Sequence, residues 1–207
     1  ILEEIDVKRY VVGICGASGV VYGITLLYQL LRLQVEIHVI ISADGRKVMA
    51  HELNYHGQLD ECLKSAGRHA PHQKACIREH DAADFFAPPA SGSFRHDGMV
   101  IVPCTVKTLA AVATGLAENL LTRAADICLK ERRSLILVPR ETPFSAIHLE
   151  NMLRLTRAGA TILPAAPGFY FGPQHIQDLV DFIVARILAQ LGIDHHMTGA
   201  WGDETLV

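Results

Sequence analysis

Short apolar stretches with no polar face recur along this chain, and most lead into a stretch with helical spacing. The chain reads YVVGIC at 10–15, VEIHVIIS at 35–42, GMVIV at 98–102 and SLILV at 134–138. A strand that is apolar at successive positions has no side to turn to water, so it belongs in a sheet covered on both faces. The segments 20–33, 44–54, 107–130, 148–158 and 173–191 repeat their apolar residues with helical periodicity. Gly115 marks a break in the third of them, and a short strand fits 160–163. Such alternation predicts an α/β fold, a doubly wound and mostly parallel sheet with helices on both faces.

The expected architecture is Rossmann- or flavodoxin-like. Between 55 and 97 the periodicity fades into a segment rich in His, Ala, Pro and Gly, which should hold a strand or two among loops. With no internal repeat and no linker, residues 1–207 read as one α/β domain with a C-terminal tail from about 194. Half of the residues are hydrophobic and only 20% are charged, a balance that predicts burial between copies of the chain. The net charge of −3 gives no footprint for nucleic acid or an anionic membrane. The five cysteines, at 15, 62, 76, 104 and 128, form no C-x-x-C pair, which suits reduced thiols better than disulfides or a zinc site. No leader pattern and no apolar run of about 18 residues is found, so a soluble, cytoplasmic chain is expected.

The first strand leads into Cys15-Gly16-Ala17-Ser18-Gly19 and directly into a helix. Small residues let the backbone approach a phosphate, and helix N-terminal amides then hold it. The alternative is a plain tight turn. The spacing is not G-x-G-x-x-G, and the acid about 20 residues on, Glu36, begins the second strand where a ribose-binding acid would end it. Ser42 stands at that end instead, with Asp44 nearby. A mononucleotide such as FMN fits this loop better than NAD.

The strand ending near Val102 runs into Pro103-Cys104-Thr105-Val106-Lys107-Thr108. Ligands of open α/β sheets sit at strand carboxyl ends, so this loop should face the same crevice as GASG, with Thr105 as flavin contact or simple N-cap. Arg123, Lys130, Arg132, Arg133, Arg140 and Arg186 supply cations. Arg132 and Arg133 read as a solvated helix end. Arg140 instead follows a core strand in a loop between two prolines, where a guanidinium can grip a phosphate. Glu141 beside it is a candidate general acid or base, or else a loop brace. Gly168-Phe169-Tyr170-Phe171-Gly172 offers a pocket wall or a subunit contact. His51, His56, His69, His72, His80 and His195-His196 lack metal-site spacing and read as surface residues.

GASG, SGSF-x-x-DGM (91–99), PCTVKTLAA (103–111), NLLTRAAD with LKERR (119–133), LVPRETP (137–143), HLENMLRLT (148–156) and RILAQLGI (186–193) together resemble the UbiX-type flavin prenyltransferases. The resemblance runs from Lys8 to about Trp201 and is weakest at 55–80. It implies that the chain joins a dimethylallyl group from dimethylallyl phosphate to N5 and C6 of reduced FMN without a metal. The product, prenylated FMN, would serve UbiD-type decarboxylases. Carried over, Gly16, Ala17, Ser18, Ser42, Thr105, Val106, Lys107, Thr108 and Arg123 would bind FMN. Lys130, Arg140, Tyr170 and Arg186 would hold the isoprenoid phosphate. Glu141, Ser18 and Glu52 would serve the chemistry, and the assembly would be a dodecamer. Thr105 stands where many members have serine, which keeps the hydroxyl.

Two other readings share the flavin loops. A flavin-dependent cysteine decarboxylase would carry PASANT-like and PxMNxxM-like segments, but PCTVKT stands in the corresponding loop and no MNxxM occurs. A non-catalytic FMN carrier would have no use for Lys130, Arg140 and Arg186.

Overall fold

The computed structural model describes residues 7–33, 35–65, 77–195 and 197. Its sheet has six strands: β1 (Arg9–Ile14), β2 (Glu36–Ile41), β3 (Ile77–Asp81), β4 (Gly98–Cys104), β5 (Leu135–Pro139) and β6 (Thr161–Ile162). They lie in the order β3-β2-β1-β4-β5-β6, and every pairing is parallel. The helices are α1 (Val20–Arg32), α2 (Ala43–Leu53), α3 (Leu59–Ser65), α4 (Val106–Ala113), α5 (Leu120–Lys130), α6 (Ala146–Arg157) and α7 (Ile176–Gln190). The irregular segment supplies α3, β3 and a short 3-10 turn at Pro88–Ala90.

The apolar runs are explained by the two cores. In β1, Tyr10, Val12 and Ile14 point into one layer, packed with α1, α2, α3 and α7, while Val11 points into the other, packed with α4, α5 and α6. In β4 and β5, Val100, Val102, Ile136 and Val138 face the first layer and Met99, Ile101, Leu135 and Leu137 the second. No residue of these strands can be polar on either side without being buried. Gly23 is required where α1 crosses β4, since a Cβ there would stand 2.7 Å from the Val102 carbonyl oxygen.

Helix starts are set by side chains. Ser42, Thr105, Asn119 and Ser145 accept from amides of the first turns of α2, α4, α5 and α6. The stretch 107–130 is two helices, divided at Gly115 with φ 72°. The last helix begins at Ile176, three residues later than its periodicity suggests.

Two expectations about charged side chains are corrected. His80 is half-buried, its Nε2 2.7 Å from Nδ1 of buried His38, whose Nε2 lies 2.9 Å from Glu36. Arg9 and Arg78 close the network on Glu36. Parallel register sets His38 beside Arg78, with His80 two residues further along β3, a pairing that the sequence, which placed a strand in this segment without bounds, did not show. Arg133 is likewise no solvated helix end, because its guanidinium donates to the carbonyls of Phe94 and Gly92 at 2.7 and 2.6 Å. His51 and His56 are exposed as expected, whereas His69, His72, His196, Cys76 and Trp201 lie outside the described residues. No helix among the described residues is long and apolar enough to cross a membrane.

Candidate flavin site

Strand order reverses between β1 and β4, and the loops leaving their carboxyl ends part to opposite faces of the sheet. A crevice at that point is where such folds take ligands. The GASG loop leaves β1, Ser42 ends β2, the Thr105–Thr108 turn leaves β4, and Arg140 with Glu141 leaves β5. Four adjacent strands therefore deliver the polar residues that the sequence singles out to one edge.

The GASG loop has no room beneath it. A Cβ on Gly16 would stand 2.5 Å from Asp44 Cβ, so glycine alone lets the loop lie on the first turn of α2. Gly19 takes φ 96° to turn into α1 and offers that helix no side-chain cap. Glu52, on the last turn of α2, fills that role. Its carboxylate accepts from the Gly19 amide at 3.0 Å and the Val20 amide at 3.2 Å. The helix dipole favours an anion there.

Among the described residues no acceptor engages the amides of Gly16, Ala17 and Ser18. The first amides of α4, at Val106 and Lys107, have no partner within their helix either. These donors fit the phosphate and polar edge of a flavin mononucleotide. The second loop is held rigid by its own threonines: Thr105 Oγ1 accepts from the Thr108 amide at 3.0 Å and donates to Thr108 Oγ1 at 3.0 Å. Lys107 projects to solvent, and the Asp44 carboxyl lies below its ordinary range, held first by Lys47 at 3.0 Å and further by Lys107.

Arg140 joins the edge together. Its Nε donates to the Ser18 carbonyl at 3.2 Å, and its amide donates to the Cys104 carbonyl at 3.4 Å. Glu141 is half-buried, with Oε1 accepting from the Thr142 amide at 3.1 Å. One fixed cation thus stands against the loop that the sequence assigns to the flavin, and a carboxylate follows it in the chain.

The comparisons with known proteins point the same way. Residues 2–188 match the family model described as Flavoprotein. The flavin prenyltransferase UbiX of Pseudomonas aeruginosa is 50% identical over 97% of both chains. The chain belongs to the flavin prenyltransferase family. The crystal structure of AnUbiX in complex with FMN and dimethylallyl pyrophosphate is 42% identical with TM-score 0.86, covering 95% of this chain and 98% of that one. A dodecameric FMN-dependent UbiX-like decarboxylase from Escherichia coli is 39% identical with TM-score 0.85, over 95% and 100% of the two chains.

Not every residue carried over from the flavin prenyltransferases gathers at this edge. Arg123 sits near the start of α5, paired with Asp126 at 2.9 Å and donating to the Ala90 carbonyl at 3.4 Å. Lys130 ends the same helix, about 10 Å further along at 1.5 Å per residue. There it pairs with Glu131 beside Gly92, toward the amino ends of the strands. Tyr170 lies 56% exposed on the loop after β6, edge-on to Phe182 of α7 at 6.0 Å between centroids. Arg186 is exposed one helical turn beyond Phe182.

The sequence reading passed over the anchoring of Glu52 to Gly19 and the bond from Arg140 to Ser18. Gly19 before an uncapped helix was a signal for the first. Nothing local signals the second, since it depends on which strands are neighbours.

Proposed function

We propose that the chain transfers a dimethylallyl group from dimethylallyl phosphate to N5 and C6 of reduced FMN, producing prenylated FMN for UbiD-type decarboxylases in the cytoplasm. The observation that carries this reading is the bond from Arg140 to the Ser18 carbonyl, which sets a phosphate-binding cation against the flavin loop. Bound reduced FMN supplies the nucleophilic ring. Around it, Gly16, Ala17, Ser18, Ser42, Thr105, Val106, Lys107, Thr108 and Arg123 bind and orient. Arg140 neutralises charge that develops on the leaving phosphate, and Glu141 moves a proton to or from it. Glu52 fixes the turn that presents the Ser18 hydroxyl.

Lys130, Tyr170 and Arg186 complete the phosphate pocket in this reading, with Lys130 contributed by a neighbouring copy. The positions support that assignment, because Lys130 stands away from its own crevice while Arg186 is exposed. A dodecamer, the state named for the Escherichia coli relative, would bring such surfaces together. Unpartnered apolar side chains are available for the contacts, including Phe86 at 101%, Ile147 at 68% and Leu153 at 50% exposure.

The test is anaerobic incubation of the protein with reduced FMN and dimethylallyl phosphate, followed by the mass of the released flavin. A gain of one dimethylallyl unit is expected. Dimethylallyl diphosphate, run in parallel, identifies the preferred donor. Unmodified flavin from both reactions would overturn the transferase reading and favour the decarboxylase.

A further inference from the structure

Cys15 follows β1 directly, and Thr108 stands in the first turn of α4, the helix that leaves β4. The two strands are neighbours in the sheet, and the Cys15 amide donates to the Pro103 carbonyl at 3.2 Å. The Cys15 side chain enters the core layer beneath α4 at 1% exposure. From there its thiol donates to Thr108 Oγ1 at 3.3 Å. Thr105, the N-cap of α4, donates its own hydroxyl to the same oxygen at 3.0 Å. Thr108 is half-buried where these two donors meet.

A hydroxyl oxygen offers two lone pairs and one proton. With donors at 3.3 and 3.0 Å, both lone pairs of Thr108 are taken, and only the proton is left. A threonine in a helix ordinarily gives that proton to a carbonyl three or four residues back. Thr114, Thr122 and Thr156 do so, to Ala110, Asn119 and Met152 at 2.9, 3.1 and 2.9 Å. Thr108 does not. The carbonyl four residues before it, on Cys104, takes the Arg140 amide, and among the described residues no acceptor receives the Thr108 proton.

We infer that Cys15 is a positioning residue for the flavin. Together with Thr105 it fixes the Thr108 hydroxyl as a donor to an oxygen of bound FMN. This rests on the flavin reading of the crevice and adds a polarity to it. With both lone pairs occupied, Thr108 cannot accept from a ligand, so it serves an acceptor group alone. Without the thiol, one lone pair is freed and the hydroxyl can turn between donating and accepting. Part of the binding free energy then goes into ordering it. The buried thiol acts through Thr108 and not on the flavin itself.

FMN is titrated into the full chain as parent, Cys15→Ala, Thr108→Val and the double variant. Cys15→Ala should raise the FMN dissociation constant about threefold and Thr108→Val about tenfold, the sizes of weakening and of losing one hydrogen bond. The double variant should bind as Thr108→Val does, because Cys15 then has nothing to position. Cys15→Ser keeps a donor and should recover much of the affinity. A packing role alone would make the two losses multiply, so that result overturns the inference. Cys15→Ala with the affinity of its parent overturns it too. Infrared spectra read the thiol directly: the S–H band lost in Cys15→Ala should lie below that of a free thiol and rise in Thr108→Val. If no S–H band is lost in Cys15→Ala, the group is a thiolate and the donor assignment fails. Should the parent bind no FMN, the flavin reading falls and the positioning role with it, while the S–H band still shows whether the bond to Thr108 exists.

Discussion

Arg140 and Ser18 stand 122 positions apart, yet the arginine Nε donates to the serine carbonyl at 3.2 Å. The bond ties the loop after β5 to the loop after β1 across the end of β4. It leaves the terminal nitrogens of the guanidinium to face an anion while fixing the plane in which they lie.

Arg140→Ala should therefore lower prenyl transfer on the order of 10²–10³-fold, the size of losing one charge-stabilising donor. FMN affinity should fall far less, by about 1 kcal/mol for one lost hydrogen bond. Arg140→Lys should restore charge without the Ser18 bond and recover only part of the rate. Single-turnover rates beside FMN titrations separate the two effects, and an unchanged rate in Arg140→Ala would rule out the phosphate role.

Glu52→Gln keeps the shape of the side chain but removes the anion from the start of α1. A loss of roughly 0.3–1 kcal/mol in urea unfolding is expected from the helix dipole. If Glu52 also serves the chemistry, the rate should drop by much more than FMN affinity does. Equal small losses in both would leave it a brace.

Mixing Lys130→Ala with Arg140→Ala chains tests where Lys130 acts. Each variant alone should be nearly inactive. Subunits exchanged at random should regain roughly a quarter of the sites, because Arg140 of one copy then meets Lys130 of another. Without any recovery after verified exchange, Lys130 does not act across copies.

His96 is half-buried, and desolvation with Arg133 nearby lowers its pKa to about 4. Its Nδ1 bonds the Gly98 carbonyl at 3.2 Å, which fixes the neutral tautomer with its proton there. The unfolded chain takes up a proton near pH 6.5, the folded one only near 4, so stability is full above the first value. It should decline as pH falls between them, by on the order of 1–2 kcal/mol after allowance for partial exposure, and then level off. His38 and His80 are lowered by burial and add in the same direction. Urea midpoints at pH 7.5 and 5 should differ less in His96→Gln than in the parent.

Gly23→Ala places a methyl 2.7 Å from the Val102 carbonyl oxygen, a backbone atom that cannot swing aside. About 1–3 kcal/mol of stability should be lost. Thermal melts would show it, and an unchanged melting temperature would mean that α1 lies further from β4 than the structure has it.

Fold class was legible because β1, β2, β4 and β5 are buried on both faces, and burial on both faces writes an uninterrupted apolar run. The candidate loops were legible because each joins a strand to a helix, where small or capping residues stand out. By contrast, β3 (IREHD) carries polar residues at an edge, where one side meets solvent and the other a histidine network, so no apolar pattern marks it. Arg133 looked like its neighbour Arg132 because a charge run has no signature for what its members touch.

The sequence alone determined which segments are strands of a covered sheet, which loops carry small and hydroxyl residues, and that Arg140 and Glu141 leave a buried strand together. Only the tertiary structure decided that β1 and β4 are neighbours, and hence that Ser18 meets Arg140 and the Cys15 thiol meets Thr108. It also decided that Lys130 ends its helix away from the crevice of its own chain. Periodicity reports how each segment meets solvent, one residue at a time. Contacts between distant loops depend on strand order, which is settled by the packing of the whole sheet against its two helical layers.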